Sequence, residues 1–188
     1  MYAVTYNVGT SGPEQHLGNL LPFEGSKNIP DFITISLQEV KAQPQSLLIS
    51  ALFDDPWTNT CKDYLRTRDY VKIKSIRLQG LLMSVYVLRK HLLNIRDIES
   101  EYTRTGLSGM WVGIANFYRW TPARRKIFQG NKGAVSVRLS IYGCSICFVN
   151  AHLSAHDQML DNRIEDYNSI IKDQKFHVSE HTAILYHE

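Results

Sequence analysis

The chain has 188 residues, of which 44% are hydrophobic, 11% aromatic and 21% charged. This balance is typical of one folded domain or part of one, and it excludes disorder, a coiled coil and low-complexity sequence. No apolar run approaches the roughly 18–20 residues of a membrane-spanning helix. The formal net charge of +3 is ordinary for a folded domain.

The charge is unevenly distributed along the chain. No Asp or Glu lies between Glu101 and Asp157, whereas that stretch carries seven Lys and Arg residues. An acid-free basic segment favours an anionic ligand, such as a phosphate ester, a nucleic acid or an acidic membrane surface. A solvated basic face has the same composition, so charge alone leaves both interpretations open.

The cysteines and the N-terminus bear on the cellular compartment. Cys61, Cys144 and Cys147 are too few for a disulfide framework, and the close pair has no second pair with which to bind zinc. In a strand, a spacing of three puts Cys144 and Cys147 on opposite faces, which favours packing over a redox pair. Reduced cysteines and an N-terminus without a signal-peptide pattern predict a cytosolic protein.

The first two predicted strands end in polar residues. The first strand lies within residues 2–8 and has Asn7 near its end, and the β-branched run from Phe32 to Leu37 predicts a second strand that stops at Gln38 and Glu39. Polar side chains at strand ends often bind ligands or catalyse reactions. An Asn at such a position is usually a turn residue and a Glu is usually a helix-start carboxylate, so neither residue identifies a site by itself.

The rest of the chain alternates between helix and strand signals. The predicted elements are helices at 44–53, at 56–65 and from Asp161 onward, and strands at 70–78, 81–88, 134–140 and 145–151. Only Gln79 and Gly80 separate the strands at 70–78 and 81–88, which predicts a tight antiparallel hairpin, and a second strand pair surrounds Tyr142 and Gly143. The pattern indicates an α+β fold of antiparallel strands with helices outside.

Four motifs at or near these strand ends resemble a known family. They are Thr-Tyr-Asn-Val at 5–8, Leu-Gln-Glu-Val at 37–40, Gly-Asn-Lys-Gly-Ala-Val at 130–135 and Asn-Ala-His-Leu-Ser-Ala-His at 150–156. In this order they resemble the inositol polyphosphate 5-phosphatases, members of the endonuclease/exonuclease/phosphatase superfamily. Arg163, Asp166 and Tyr167 match the family's Arg-x-x-Asp-Tyr, although helix packing explains them almost as well.

The resemblance implies a fold and roles for particular side chains. The fold is part of a four-layer α/β sandwich of the DNase I-like type, with two sheets face to face and helices outside. The implied roles are metal ligation by Asn7 and Glu39, substrate binding by Asn131, Lys132 and His156, and catalysis by His152. Phosphate monoester hydrolysis needs a cation beside the phosphoryl oxygens, and Mg²⁺ prefers the hard oxygen ligands that Asn and Glu supply.

The implied activity is Mg²⁺-dependent hydrolysis of the 5-phosphate of phosphoinositides or inositol polyphosphates. The implied partners are this substrate and the membrane surface that carries it, without nucleic acid, in a cytoplasmic protein that contacts the membrane transiently. A superfamily nuclease is an alternative, because it needs Asn7 and Glu39 but not the patterns around Lys132 and His152. A non-catalytic fragment that binds phosphoinositide or a protein partner is a third possibility.

The sequence departs from the family in two places. Residues 112–129 interrupt a motif that is continuous in the family, so they are predicted to be an insert, and their length and end codons fit a retained intron. The family's later motifs supply a carboxylate that orients water and a terminal histidine, and the sequence through Glu188 contains neither. We therefore expect residues 1–188 to be an incomplete catalytic domain that does not hydrolyse phosphoinositides at an enzymatic rate by itself.

Overall fold

The computed structural model describes residues 1–14, 17–23, 29–41, 55–105, 132–177 and 183–187. The strands are β1 (Tyr2–Asn7), β2 (Phe32–Gln38), β3 (Tyr70–Leu78), β4 (Leu81–Leu88), β5 (Ile95–Arg104), β6 (Gly133–Ile141) and β7 (Cys144–His152). The helices are α1 (Pro56–Arg66) and α2 (Leu160–Asp173), with short 3₁₀ helices at Arg89–Asn94 and Ile184–Tyr186. The predicted helix at 44–53 and the predicted insert at 112–129 lie outside the described residues.

The described strands form two sheets, one with the order β1-β2-β4-β3 and one with the order β5-β6-β7. Both predicted hairpins are confirmed, since β3 pairs antiparallel with β4 and β6 pairs antiparallel with β7. Tyr142 and Gly143, which connect β6 and β7, have φ angles of 49° and 84°. Two positive φ angles are the mark of a type I′ turn, whose twist matches that of the strands it joins.

Two features of the sheets differ from the sequence-based prediction. β1 pairs with β2 in parallel, although the sequence pattern indicates antiparallel strands throughout. A parallel pair needs a long connection, which residues 8–31 provide. β5 is absent from the prediction because it is an edge strand with mostly polar residues, and a bulge between Arg96 and Glu99 interrupts its alternation.

Helix α1 begins where its sequence predicts. Asp55 Oδ1 accepts hydrogen bonds from the backbone N–H groups of Trp57 and Thr58, at 2.9 and 3.2 Å, and Pro56 occupies the first turn. Such an N-cap stabilises a helix by about 1 kcal/mol. Trp57, Cys61 and Leu65 recur at four-residue spacing and are buried against the first sheet. No helix in the described ranges is long and apolar enough to span a membrane.

Three apolar clusters separate four layers. One cluster lies between α1 and the first sheet, a second lies between the two sheets, and a third lies between the second sheet and α2. Successive side chains of β2 point to opposite faces of the first sheet and so contribute to two of these clusters. Ile33 and Ile35 face α1, whereas Phe32 faces the other sheet. The helix–sheet–sheet–helix stack is the four-layer sandwich that the family resemblance implies.

The three cysteines are free thiols. Cys144 is exposed, and Cys147 packs against the cluster beneath α2 that contains Ile170 and Phe176. Burial raises the pKa of the Cys147 thiol to about 12, which keeps the thiol protonated at neutral pH. The predicted packing role is confirmed for Cys147, and the two side chains have different surroundings.

A polar contact connects the two sheets near the start of β2. His91 Nε2 lies 2.8 Å from Asp31 Oδ1, and His91 Nδ1 lies 2.9 Å from the hydroxyl of Tyr142 in the β6–β7 turn. Lys90 Nζ also lies 2.8 Å from Asp31. The hydrogen bonds from His91 and Lys90 lower the pKa of Asp31 from 3.8 to about 2.

Asp31 should therefore make the free energy of unfolding depend on pH in the acid range. Because its pKa is lower in the folded protein, its contribution is present above about pH 4 and is lost as the pH falls towards 2. We expect Asp31→Asn to lower the free energy of unfolding at pH 6 by at most about 1 kcal/mol, since the carboxylate is 51% exposed. Urea unfolding between pH 6 and 2 measures this, and a deficit that stays constant over the range would contradict the assignment.

Candidate active site

The ends of four strand segments meet on one side of the two sheets. Because β1 and β2 are parallel and in register from Tyr2 to Asn7, Asn7 and Glu39 come to the same end of the first sheet. In the second sheet Gly133, the first residue of β6, pairs with His152, the last residue of β7. Lys132 precedes Gly133 directly, so it stands beside His152.

A buried pair of side-chain amides connects the two sheets at this end. Gln38 Nε2 donates to Asn150 Oδ1 at 2.7 Å and to Thr5 Oγ1 at 3.0 Å. Asn150 Nδ2 donates to the carbonyls of Leu37 and Leu82, at 3.2 and 3.0 Å. Asn150 is only 2% exposed, so these directional bonds fix the end of β7 against β2 and β4.

This amide bridge places the predicted site residues. Side chains two residues apart in a strand lie on the same face, so His152 follows Asn150 on the face that meets the first sheet. Glu39 follows Gln38 directly in the chain. The two motifs therefore meet through Gln38 and Asn150, to which the sequence analysis gave no role. The sequence does contain a signal for this bridge, because an amide residue stands close to each candidate: Gln38 precedes Glu39, and Asn150 lies two residues before His152.

Lys132, His152 and Glu39 interact electrostatically. The Lys132 ammonium and His152 Nε2 are hydrogen-bonded. Burial lowers the pKa of Lys132, and the negative charges of Glu39 and Asp166 oppose this shift. Burial and the positive charge of Lys132 lower the pKa of His152, again opposed by Glu39. The structure therefore brings three of the six predicted site residues together, with His152 favoured in its neutral form.

Gly133 allows the backbones of β5 and β6 to approach closely, and this approach places Lys132 beside His152 and Glu39. Its φ is +145°, and a Cβ atom there would lie 2.2 Å from the carbonyl oxygen of Thr103 and 3.2 Å from Leu78 Cδ2. No side chain fits at such distances, and only glycine adopts this conformation without strain. In the described structure the approaching group is the backbone of β5.

Asn7 and Glu39 offer oxygen ligands for a cation. Asn7 is exposed, and its Oδ1 accepts a hydrogen bond from the Gly9 N–H at 3.0 Å, which leaves a second lone pair available. Glu39 is half-buried and offers two carboxyl oxygens. Mg²⁺ takes few protein ligands and keeps several waters, so an amide and a carboxylate at neighbouring strand ends fit it. Across the described ranges, no three His, Cys, Asp or Glu side chains cluster as a metal site.

Helix α2 holds the loop that follows His152. Asp166 Oδ2 accepts hydrogen bonds from the N–H and the hydroxyl of Ser154, at 2.8 and 2.7 Å. The Arg163 guanidinium donates to three loop carbonyls, those of Ser154 (3.4 Å), His156 (2.6 Å) and Asp157 (3.4 Å). Asp166 is 3% exposed, whereas Tyr167 is largely exposed. Arg163 and Asp166 therefore shape the loop next to the site and do more than pack the helix.

Two predicted substrate contacts are not brought into the group. His156 is exposed and has a φ of 75°, and its contact with Arg163 is through its carbonyl oxygen. Among the described residues, no hydrogen bond joins its imidazole to Lys132 or His152. Asn131 lies outside the described residues. The substrate-binding roles of Asn131 and His156 stay predictions.

Comparison with known proteins identifies the family. A family model described as endonuclease/exonuclease/phosphatase family 2 matches residues 4–188. The chain belongs to this family. The match covers the sandwich except for the first two residues of β1. It includes the strand ends that carry Asn7, Glu39, Lys132 and His152, so the resemblance seen in the motifs is confirmed.

Relatives with curated names are phosphoinositide and inositol phosphate phosphatases. Human phosphatidylinositol 4,5-bisphosphate 5-phosphatase A is 35% identical over 187 residues, which are 98% of this chain and 17% of that protein. Mouse inositol polyphosphate 5-phosphatase K is 34% identical over 188 residues, which are 100% of this chain and 36% of that protein. The chain thus spans well under half the length of these relatives.

A solved structure confirms the predicted fold. The inositol polyphosphate 5-phosphatase domain of a synaptojanin, crystallised with inositol (1,4)-bisphosphate and a calcium ion, superposes with a TM-score of 0.72 at 22% identity. The similarity covers 95% of this chain and 47% of that chain. The four-layer sandwich is therefore the family's fold, and this chain spans about half of that domain.

Removing the amide of Asn150 should cost substantial stability. Asn150→Ala removes a buried acceptor of Gln38 Nε2 and the side-chain donor to two strand carbonyls, and we expect the free energy of unfolding to fall by about 3 kcal/mol. Asn94→Ala is the matched control, since Asn94 is exposed and, within the described ranges, its side chain donates to the Tyr142 hydroxyl alone. Urea unfolding at pH 7 compares them, and similar small losses in both variants would show that the bridge is unimportant.

The pKa of His152 should report the charge of Lys132. In the metal-free protein we expect a pKa below 6.5 by NMR titration. Lys132→Ala should raise the pKa because it removes a neighbouring positive charge and part of the burial, and Glu39→Gln should lower it further. Lys172→Ala, an exposed position on α2, serves as the control. A His152 pKa that is the same in all four proteins would disprove the coupling.

Proposed function

We propose that this site binds the 5-phosphate of a phosphoinositide or inositol polyphosphate together with Mg²⁺, and that the protein hydrolyses this phosphate ester. The observation that supports the proposal is the contact between Lys132 and His152 beside the Glu39 carboxylate. The names of the relatives, and the inositol bisphosphate bound in the synaptojanin domain, support the substrate class.

The residues of the site have separate tasks in this proposal. Asn7 and Glu39 would hold the Mg²⁺ ion, which would supply positive charge beside the phosphoryl oxygens of the substrate. Lys132 binds the same phosphate as a compact cation, and Asn131 and His156 supply further contacts. A bound phosphate dianion favours the charged forms of Lys132 and His152 and so raises both pKa values. His152 then donates a hydrogen bond to the oxygens on which negative charge develops.

The proposal has consequences for where the protein works. A phosphoinositide presents its headgroup at a membrane surface, so a cytoplasmic protein with this activity contacts that surface transiently. The basic residues of the acid-free segment among the described residues are Arg104, Lys132 and Arg138. Arg104 is exposed, Lys132 is at the site, and Arg138 is buried and paired with Glu99. The basic residues of this segment are therefore not sufficient by themselves to attract the protein to an acidic membrane. We propose no nucleic-acid partner.

Ligand binding tests the substrate class. We expect inositol 1,4,5-trisphosphate to bind about tenfold more tightly than inositol 1,4-bisphosphate in the presence of Mg²⁺, because only the first carries the 5-phosphate. Lys132→Ala should weaken trisphosphate binding about tenfold or more, since a charge-assisted hydrogen bond is lost, whereas Lys172→Ala should not. Isothermal titration with Mg²⁺ and with EDTA measures these affinities. Equal affinity for the two inositol phosphates would refute the assignment.

The reaction itself is tested under single-turnover conditions, with the protein in excess over substrate, because a slow rate is then visible. In a catalytic domain completed with the family's later motifs, we expect Mg²⁺-dependent phosphate release from the trisphosphate that disappears in Glu39→Gln, which loses one anionic metal ligand. Residues 1–188 by themselves should not release phosphate at an enzymatic rate. Binding without release above the Glu39→Gln background would favour a phosphoinositide-binding protein. Cleavage of an abasic-site duplex without release of inositide phosphate would favour a nuclease.

A further inference from the structure

Glu39 occupies a backbone conformation that needs support from its neighbours. Its φ is 57°, in the left-handed region that residues other than glycine rarely adopt. Such a conformation costs on the order of 1 kcal/mol or more and persists where the surroundings enforce it. Two backbone hydrogen bonds flank it, from the Thr10 N–H to the Glu39 carbonyl and from the Val40 N–H to the Gly80 carbonyl, each 2.9 Å long.

The turn between β3 and β4 lies directly against this backbone. A Cβ atom on Gly80 would be 3.4 Å from Glu39 Cα and 3.5 Å from the Val40 carbonyl oxygen. Gln79, the other turn residue, has a φ of 51°. The position of Glu39 therefore depends on the position of a two-residue turn that belongs to a different pair of strands.

Arg77 connects this turn to the segment that follows Glu39. Its Nε donates to the carbonyl of Gln79 at 2.9 Å, and its Nη2 donates to the carbonyl of Lys41 at 2.9 Å. The planar guanidinium holds several N–H donors in a fixed arrangement, so one side chain can bind two carbonyls at a defined separation. One of these carbonyls is in the turn, and the other lies two residues beyond Glu39.

We propose that Arg77 is a positioning residue for Glu39. It fixes the β3–β4 turn and the backbone after β2 relative to one another, and it thereby holds the Glu39 carboxylate in the geometry that binds the cation. This inference rests on the proposed function, because it assigns Arg77 to the same metal site. Arg77 itself contacts two backbone carbonyls and need not touch the substrate or the metal.

The test compares three variants by Mg²⁺ affinity and by amide hydrogen exchange. In Arg77→Met we expect the Kd for Mg²⁺ to rise about tenfold or more, the range typical for loss of a group that orients a metal ligand. We also expect the amides of Val40 and Thr10 to exchange about tenfold faster in the metal-free protein, because their acceptors lose support. Arg77→Lys can bind only one carbonyl well, so it should restore part of both effects.

Arg68→Met is the matched control. Arg68 also donates to a backbone carbonyl, that of Tyr64 at 3.0 Å, but it precedes β3, whereas Arg77 lies near the end of that strand. We expect Arg68→Met to leave the Kd for Mg²⁺ and the exchange of Val40 and Thr10 unchanged. If Arg77→Met and Arg68→Met behave alike in both measurements, Arg77 has only a general structural role and the inference is wrong.

The measurements separate this inference from the proposed function. If Glu39→Gln does not weaken Mg²⁺ binding, the metal assignment fails, whatever Arg77 does. In that case faster exchange at Val40 and Thr10 in Arg77→Met alone would still support the positioning of Glu39 by Arg77. If Glu39→Gln does weaken Mg²⁺ binding and Arg77→Met changes neither the Kd nor the exchange rates, the metal site stands and the role of Arg77 is refuted.

Discussion

The hydrogen bond from Gln38 to Asn150, with those from Asn150 to the Leu37 and Leu82 carbonyls, is the constraint on which the site depends. The two sheets meet through apolar side chains, and apolar contact is non-directional, so it sets how closely the sheets approach but not how they are aligned. Buried amides need partners in defined directions, and an unmet buried donor or acceptor costs about 1–3 kcal/mol. The bridge therefore aligns β2 with β7, and with that alignment it fixes Glu39 relative to His152.

The charges of the site follow from this alignment. Lys132 is partly buried, which is costly for an ammonium group, and the carboxylates of Glu39 and Asp166 offset part of that cost. Burial and repulsion by the same lysine lower the pKa of His152 and favour its neutral form. A partly desolvated cation, a neutral imidazole and a nearby carboxylate are held before any ligand arrives. In the proposed function, such preorganisation would lower the cost of binding a phosphate and a cation together.

Local signals explain what the sequence could predict. Both hairpins and the start of α1 depend on neighbouring residues, such as Gly143 in a turn and Asp55 at an N-cap, and these were predicted correctly. The parallel pairing of β1 with β2 joins distant segments, and β5 has no apolar alternation, so periodicity did not reveal either. Motifs predicted the residues at the strand ends. The amide bridge was not predicted because Gln38 and Asn150 are far apart in the sequence and come into contact only when the two sheets pack together.

The second sheet shows how one glycine serves both fold and site. Gly133 lets β5 approach β6 where a Cβ atom would meet the Thr103 carbonyl at 2.2 Å, and Lys132 precedes it directly. Displacing this backbone would move the lysine away from His152 and Glu39. Both sheets, the amide bridge and the three grouped side chains lie in a chain that matches 47% of the synaptojanin domain. The two sheets and the amide bridge that align Glu39, Lys132 and His152 therefore lie within the described residues. Their alignment results from the packing of the sheets and does not require a ligand.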